Sequence, residues 1–322
     1  MITPEVVGFG ALNMDSVLHV TEIVTEGEAV VHDVKQYPGG SAANTTYALA
    51  KLGMNAGFVG AVGNDSNGKK LVHALARVGM DTAEIKTKQA ATGTALCLSD
   101  TLGRRAIYLH PGANGLLSPQ DVNMDYLDRS KIVHLSSFAG DRQFALHREL
   151  AQKLKRATKL SLAPGMLYAS RGLERLSSLV ERADILFLNR QEVRTLTGSD
   201  FRPGAAELLR LGCRTVVVTL GSGLVWKRHR IVAYIRRGAE EHLIPPGGKA
   251  SVVDATGAGD AFAAGFLFGI LKGKGLYECG QMGEVLARRA IRRAGARAGL
   301  PSAAQFSRDS SKLARDVVPR YE

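Results

Sequence analysis

The sequence predicts an α/β fold, a doubly wound, mainly parallel sheet flanked by helices with a small β-sheet lid. Two observations carry this prediction. Short β-rich runs alternate with helix-like stretches, the order that builds a parallel sheet through crossover helices. Two further stretches, 16–36 and 93–109, break that rhythm with period-2 patterning and read as inserts that form a separate β-layer over the strand ends.

In order, the strand candidates are Val6 to Phe9, Gly57 to Val62, Ile132 to Leu135, Lys159 to Leu162, Ile185 to Leu188 and Thr215 to Thr219. The insert "GTALCLSDTLGRRAIYLH" reads as a hairpin turning near Leu102 and Gly103. A helix from about Ser41 to Leu52 stops at Gly53, a residue type that suits the position just past a helix end. A second, from Ala261 to Leu271, is apolar on nearly all sides and is expected to be buried. Val252 and Val253 read as the end of a short extended segment before it. No internal repeat, low-complexity block or linker divides the chain. Residues 1–322 therefore read as one domain, with the polar end 302–322 as a peripheral tail.

Composition bounds the function classes. With 45% hydrophobic residues in 322, the chain can bury a sizeable core. No basic region precedes the first apolar residues, and the longest nearly uncharged apolar run, Ala261 to Leu271, is far short of the ~20 residues a bilayer requires. A cytoplasmic protein without a membrane partner is expected. Cys97, Cys213 and Cys279 stand far apart, which suggests buried thiols rather than a disulfide framework or zinc site. The formal charge of +12 is densest at Arg288, Arg289, Arg292 and Arg293, which read as a solvated helix face opposite Ala287, Ala290, Ile291 and Ala294. No aromatic residues interleave for base stacking, so nucleic acid is not the expected partner, while a positive field suits an anionic substrate such as ATP.

The stretch "VVDATGAGDAFAAGF" places Asp260 in the first turn of the buried helix, behind a tight turn at Gly257 to Gly259. Backbone N–H groups that converge at a helix start, together with the macrodipole, favour an anion there. Far upstream, Gly39 and Gly40 precede the helix at Ser41, and Asn44 in its first turn offers both donor and acceptor. Such a site suits a polyhydroxylated ligand.

These two segments resemble the signatures of the ribokinase-like, or PfkB, family of carbohydrate kinases. A GG-x-x-x-N segment appears as Gly39-Gly40-Ser41-Ala42-Ala43-Asn44, and a D-T-x-G-A-G-D segment as Asp254-Ala255-Thr256-Gly257-Ala258-Gly259-Asp260. "GALNMDSV" with Asn13 and Asp15, "PGAN" ending at Asn114, "NRQE" from Asn189 to Glu192 and "TLGSG" from Thr219 to Gly223 follow the same order, and the resemblance covers roughly residues 5–301. It implies a ribokinase-like fold and an ATP-dependent kinase in which Asp260 is the general base and the N–H groups of Gly257, Ala258 and Gly259 form an anion hole. Asn13, Asp15, Gly39, Gly40 and Asn44 would hold the sugar. Asn189 and Glu192 would orient Mg²⁺ with its waters and the phosphates, and Thr219, Gly221 and Gly223 would contact the nucleotide from a turn after a strand. Asp254 would serve a monovalent cation such as K⁺, although Gly299 stands where ribokinases often have a serine.

The expected acceptor is a primary hydroxyl of a sugar, with a nucleoside as the alternative and a non-catalytic nucleotide-binding regulator as the reading from another class. Ser41 departs from the GGKGAN of true ribokinases. Arg104 and Arg105 on the lid hairpin read as solvated unless one turns inward. Phe138, Tyr168 and Tyr108 could wall a base but read first as core. The lid offers a surface for a homodimer. No G-x-G-x-x-G follows the first strand, which argues against a dehydrogenase.

Overall fold

A computed structural model of the chain describes residues 3–102, 104–248 and 251–313. Gly103 at the expected hairpin tip, the side chain of Arg105 and the last residues of the expected tail, 314–322, lie outside the described residues. The strands are β1 (Val6–Phe9), β2 (Asn13–Val20), β3 (Val31–Gly39), β4 (Ala56–Gly63), β5 (Ile85–Lys88), β6 (Gly93–Asp100), β7 (Arg105–His110), β8 (Ile132–Ser136), β9 (Lys159–Ala163), β10 (Ile185–Asn189), β11 (Val216–Trp226), β12 (His229–Arg237) and β13 (Glu240–Ile244).

Among the described residues, nine strands form one sheet in the order β13-β12-β11-β10-β9-β8-β1-β4-β5. From β11 to β5 every pairing is parallel. β1 and β4 are buried along their whole length, as parallel strands covered on both faces must be. Alternate side chains divide between two apolar layers. Val7, Phe9, Val133, Leu135 and Leu162 face one side, with Phe138 and Phe144; Val6, Phe58, Ile132, Phe187 and Val217 face the other, with Phe266. The second layer buries the helix Ala258–Leu271, which needs no polar face because it lies between the sheet, the helix Ser41–Lys51 and the helix Leu276–Ala290.

The remaining strands β3, β2, β6 and β7 form a separate four-stranded sheet. Its strands in the first segment start earlier and end later than the patterning of 16–36 suggests, at Asn13 and Gly39, while those in the second run from Gly93 to His110. Asn13, Asp15 and Gly39 thus lie on the smaller sheet itself. At the other edge, β12 and β13 add two antiparallel strands, entered through a two-residue turn in which Lys227 (φ 42°) and Arg228 (φ 70°) are left-handed.

Several expectations are corrected. "TLGSG" is not a turn after a strand; it is a register shift between Thr219 and Leu224 within the long β11. Val252 and Val253 belong to no strand and are exposed. The basic cluster is not one helix face, because the helix ends at Ala290. Arg288 pairs with Glu284 (2.9 Å) and Arg289 with Asp309 (2.7 Å), while Arg292 and Arg293 lie beyond it in solvent. Ala294, assigned to the apolar side, is also exposed. Tyr108 is exposed rather than core, whereas Phe138 and Tyr168 are buried as expected. Arg104 is an exposed residue paired with Asp100. Cys97, Cys213 and Cys279 are buried. Among the described residues no helix is long and apolar enough to cross a membrane.

Candidate active site

Parallel strands all end on one side of a sheet, and the helices that follow begin there, so ligands find backbone donors and loop side chains at the carboxyl edge. A cleft lies at that edge. Ser137, Ala163 and Asn189 border it from the ends of β8, β9 and β10, Thr219 from the last parallel pair of β11, Ser41 and Thr45 from the helix Ser41–Lys51, and Gly259 and Asp260 from the helix Ala258–Leu271.

Asp260 is held on both carboxylate oxygens. Ser41 Oγ donates to Oδ1 (2.7 Å) and Asn44 Nδ2 donates to Oδ2 (2.9 Å). Burial pushes its pKa above the usual carboxylate range, opposed by those two hydrogen bonds and by the charge of Arg297. The result is a carboxylate of increased basicity at the floor of the cleft. Gly257, just before the helix, has φ 75°, and a Cβ there would collide with the Ala296 side chain, so the turn requires glycine. Ala258 and Gly259 are helical rather than part of a tight turn, and Ala258 N donates to Ala255 O (3.2 Å). Gly259 lies in the first turn, where N–H groups have no intrahelical partner.

Sequence reasoning missed the group at the centre of this cluster. Arg297 is buried; its Nε donates to Asn44 Oδ1 (2.8 Å), its Nη2 to Gly39 O (3.3 Å), and its guanidinium lies 4.9 Å over the Tyr47 ring. Desolvation lowers its pKa to about 10, opposed by Tyr47, Asp15 and Asp260, so it remains a cation near neutrality. Because Arg297 occupies Asn44 Oδ1, the amide has one orientation, with Nδ2 aimed at Asp260. Asp15 on β2 packs its carboxyl against Gly39, where a Cβ would collide with it, and Gly40 (φ 99°) admits the carbonyl of Ala11. Burial raises the Asp15 pKa to about 7; Arg297 pulls it down and Asp260 pushes it up. Asp15 Oδ1 and Arg297 Nη1 are both buried without a hydrogen-bond partner. Asn13 is fixed by Asn114, whose Nδ2 donates to Asn13 Oδ1 (2.9 Å) and to Leu12 O (3.0 Å) while Leu12 N donates to Asn114 Oδ1 (3.0 Å).

On the opposite wall, Asn189 and Glu192 form a complete capping box for the helix Arg190–Thr197: Glu192 N donates to Asn189 Oδ1 (2.8 Å) and Asn189 N to Glu192 Oε2 (2.9 Å). Asn189 Nδ2 also donates to Glu192 Oε1 (2.8 Å). Burial raises the Glu192 pKa, and the charge of Asp260 adds to that. Among the described residues no three His, Cys, Asp or Glu side chains converge into a metal cage. A single carboxylate already engaged by two donors fits a divalent ion that keeps its waters and binds mainly to phosphates. Thr219 lines the cleft, whereas Gly221 and Gly223 of the β11 bulge are not among its lining residues. Asp254 accepts from Thr256 N (2.9 Å) and Gly295 N (2.9 Å), tying the second glycine segment to the loop that carries Arg297. Gly299 packs against the carbonyls of Arg289 and Ala290 and supplies no hydroxyl.

Two glycine segments some two hundred residues apart in sequence thus meet around one carboxylate, and the match to known proteins decides what this arrangement is. The family model described as "pfkB family carbohydrate kinase" matches residues 3–303. The chain belongs to this family. It is a phosphotransferase with an alcohol acceptor, of the sugar and nucleoside kinase group. It is 35% identical over 253 residues to an uncharacterized sugar kinase of Archaeoglobus fulgidus, covering 79% of this chain and 98% of that one. It is 30% identical to an ATP-dependent ribose-1-phosphate kinase of Halopiger xanaduensis, covering 81% of this chain and 83% of that one. The structure of Arabidopsis thaliana ribokinase complexed with ribose and ATP superposes with a TM-score of 0.81 at 25% identity, over 96% of this chain and 99% of that one.

Of the expected site residues of this kinase, Asp260, Gly259, Asn189, Glu192 and Thr219 share the cleft, and Asn44, Gly39 and Asp15 join them through Arg297 and Asp260. Ser41, Thr45, Ser137, Asn114 and Arg297 are additions. "PGAN" pointed to Asn114, but nothing local distinguishes Arg297 from the arginines before it.

Proposed function

We propose that the protein transfers the γ-phosphoryl group of MgATP to a primary hydroxyl of a sugar, with Asp260 as general base. The observation that carries this reading is the place of Asp260, between the acceptor-side residues Ser41 and Asn44 and, in the same cleft, Asn189, Glu192 and Thr219 on the nucleotide side. A carboxylate of raised pKa is a stronger base, and proton removal by a positioned group contributes about 10²–10⁴ in rate. N–H groups at the helix start, those of Gly257, Ala258 and Gly259, would stabilise charge on the transferring group, with Ala258 partly committed to Ala255. Mg²⁺ supplies charge neutralisation on the phosphates, and Glu192 with Asn189 would hold its water shell. K⁺ would sit by Asp254, whose carboxylate is an oxygen donor suited to a hard cation. Asp15, with Asn13 held by Asn114, would bind the sugar's other hydroxyls.

Residues 1–322 act in this reading as one kinase domain, and the smaller sheet closes over the sugar because two of its strands carry Asn13, Asp15 and Gly39. Its exposed Val34, Leu96 and Tyr108 offer apolar area for a second copy of the chain.

The test is ADP release from MgATP across ribose, ribose 1-phosphate, fructose and adenosine, with Asp260→Asn in parallel. One acceptor should turn over, and the variant should bind MgATP yet lose on the order of a hundredfold or more in kcat. Turnover of the variant at the wild-type rate would remove Asp260 as the base, and preferential turnover of adenosine would replace the sugar with a nucleoside.

A further inference from the structure

The hydroxyl that donates to Asp260 Oδ1 belongs to the protein. Ser41 Oγ lies 2.7 Å from that oxygen, in the position a general base requires of an acceptor hydroxyl, and Ser41, Gly259 and Asp260 line the same cleft as the nucleotide-side residues. Thr45, which also lines the cleft, sends its hydroxyl to the main-chain carbonyl of Asp260 (3.3 Å), so it does not compete for the carboxylate. Ser41 is firmly placed. It is the first residue of the helix Ser41–Lys51, and the next residue, Ala42, donates its N–H to Ser136 Oγ (2.9 Å) at the end of β8. Asn44, fixed in turn by Arg297, holds the other carboxylate oxygen and so sets the plane in which Oδ1 meets the serine.

We propose that Ser41 is itself a phosphoryl acceptor: with MgATP bound and no sugar in the site, the chain transfers one γ-phosphoryl group to its own Ser41 Oγ. The inference rests on the kinase reading above. Ser41 Oγ attacks the γ-phosphorus, the bond from that phosphorus to the bridging oxygen breaks, ADP leaves with the electron pair, and the serine proton passes to Asp260 Oδ1. The product is a phosphoserine against the base. Its charge repels a carboxylate and its volume fills the place of the sugar hydroxyl, so the modified chain cannot turn over. A bound sugar prevents the reaction by taking Oδ1 from Ser41. The site thereby ties the active fraction of the enzyme to acceptor supply, in a chemistry that needs no further protein.

The experiment incubates the full-length chain with γ-labelled MgATP alone, reads phosphoryl groups per chain by intact mass, and maps the label to a peptide. The expected result is label on Ser41 that approaches one group per chain, none on Ser41→Ala, and labelling on the order of a hundredfold or more slower in Asp260→Asn. Thermal unfolding and MgATP binding establish that both variants are folded; the wild-type map itself depends on neither. Sugar-dependent ADP release by the same preparation with Ser41 unlabelled, or with label on another residue, overturns the proposal and leaves the kinase reading intact. Absence of both label and ADP release with every acceptor overturns the two together.

Discussion

In the proposed reading Asp15 binds the acceptor at a cost in stability, and replacing it with asparagine tests the electrostatics of the site. Its carboxyl is enclosed against Gly39 with Oδ1 unpartnered, and burial raises its pKa from 3.8 to about 7 even with Arg297 nearby. A folded-state pKa above the unfolded one means that the group favours folding fully only below about 3.8, and that this contribution is lost as pH rises through about 7. A shift of roughly 3 units at about 1.4 kcal/mol each is on the order of 4 kcal/mol by pH 8. An asparagine side chain in the same place would have the same shape and no charge to desolvate. Urea unfolding of the ligand-free proteins should therefore find Asp15→Asn more stable than wild type by up to about 4 kcal/mol near pH 8, and by under about 2 kcal/mol near pH 5. Acceptor turnover should be lost at the same time. A stability difference that does not grow between those pH values would refute the argument, because only the ionisation of Asp15 makes it pH-dependent.

Three other predictions follow from single contacts. His134 and His147 are wholly buried with Nε2 unpartnered, and burial lowers their pKa values from 6.5 to about 4 and about 3. Both then favour the fold above pH 6.5 and lose that contribution as pH falls toward 4, at about 1.4 kcal/mol per unit for each ring; His147→Gln should reduce the loss of stability on acidification, measured by urea unfolding, by about 1.4 kcal/mol per pH unit, and an unaltered slope contradicts this. Gly257→Ala puts a side chain at φ 75° and against Ala296, so it should cost about 1–3 kcal/mol in stability and raise the KM for MgATP; a variant indistinguishable from wild type in both would show that the turn adapts. Asn114→Ala frees Asn13 and two backbone groups of Leu12, and steady-state kinetics should show the acceptor KM rising several-fold while that for MgATP stays nearly constant.

The parts of this fold and site that were legible in sequence share one property, in that their signal is local. The two glycine segments announce helix starts because a left-handed residue precedes each helix, Gly40 at φ 99° and Gly257 at φ 75°. The buried parallel strands announce themselves as short apolar runs between helical stretches. What was hidden depends on distant partners or on an unusual residue in a common role. The strand positions Asn13, Asp15 and Gly39 carry polar or small residues, so the apolar alternation that would mark them is absent. The edge hairpin β12 turns through Lys227 and Arg228 at positive φ, where asparagine and glycine are the usual signal. The bulge in β11 splits one strand into an apparent strand and turn.

Arg297 shows why the site could not be completed from sequence alone. It closes a run of arginines whose members at 288 and 289 make surface or partly buried ion pairs and whose members at 292 and 293 lie in solvent. Composition gives all five the same meaning, yet the chain leaves its helix at Ala290 and turns, so that Gly295 N reaches Asp254 and Ala296 packs on Gly257. That turn is what carries the next residue beneath Asn44. A guanidinium in such a place is costly to desolvate unless it is paired, and its partners are Asn44, the carbonyl of Gly39 and the charges of Asp15 and Asp260. The loop that supports the helix start at Gly257 therefore also orients the amide that holds Asp260. In the proposed reading, a change in that loop should raise the KM values for MgATP and for the acceptor together, which two independent subsites would not do.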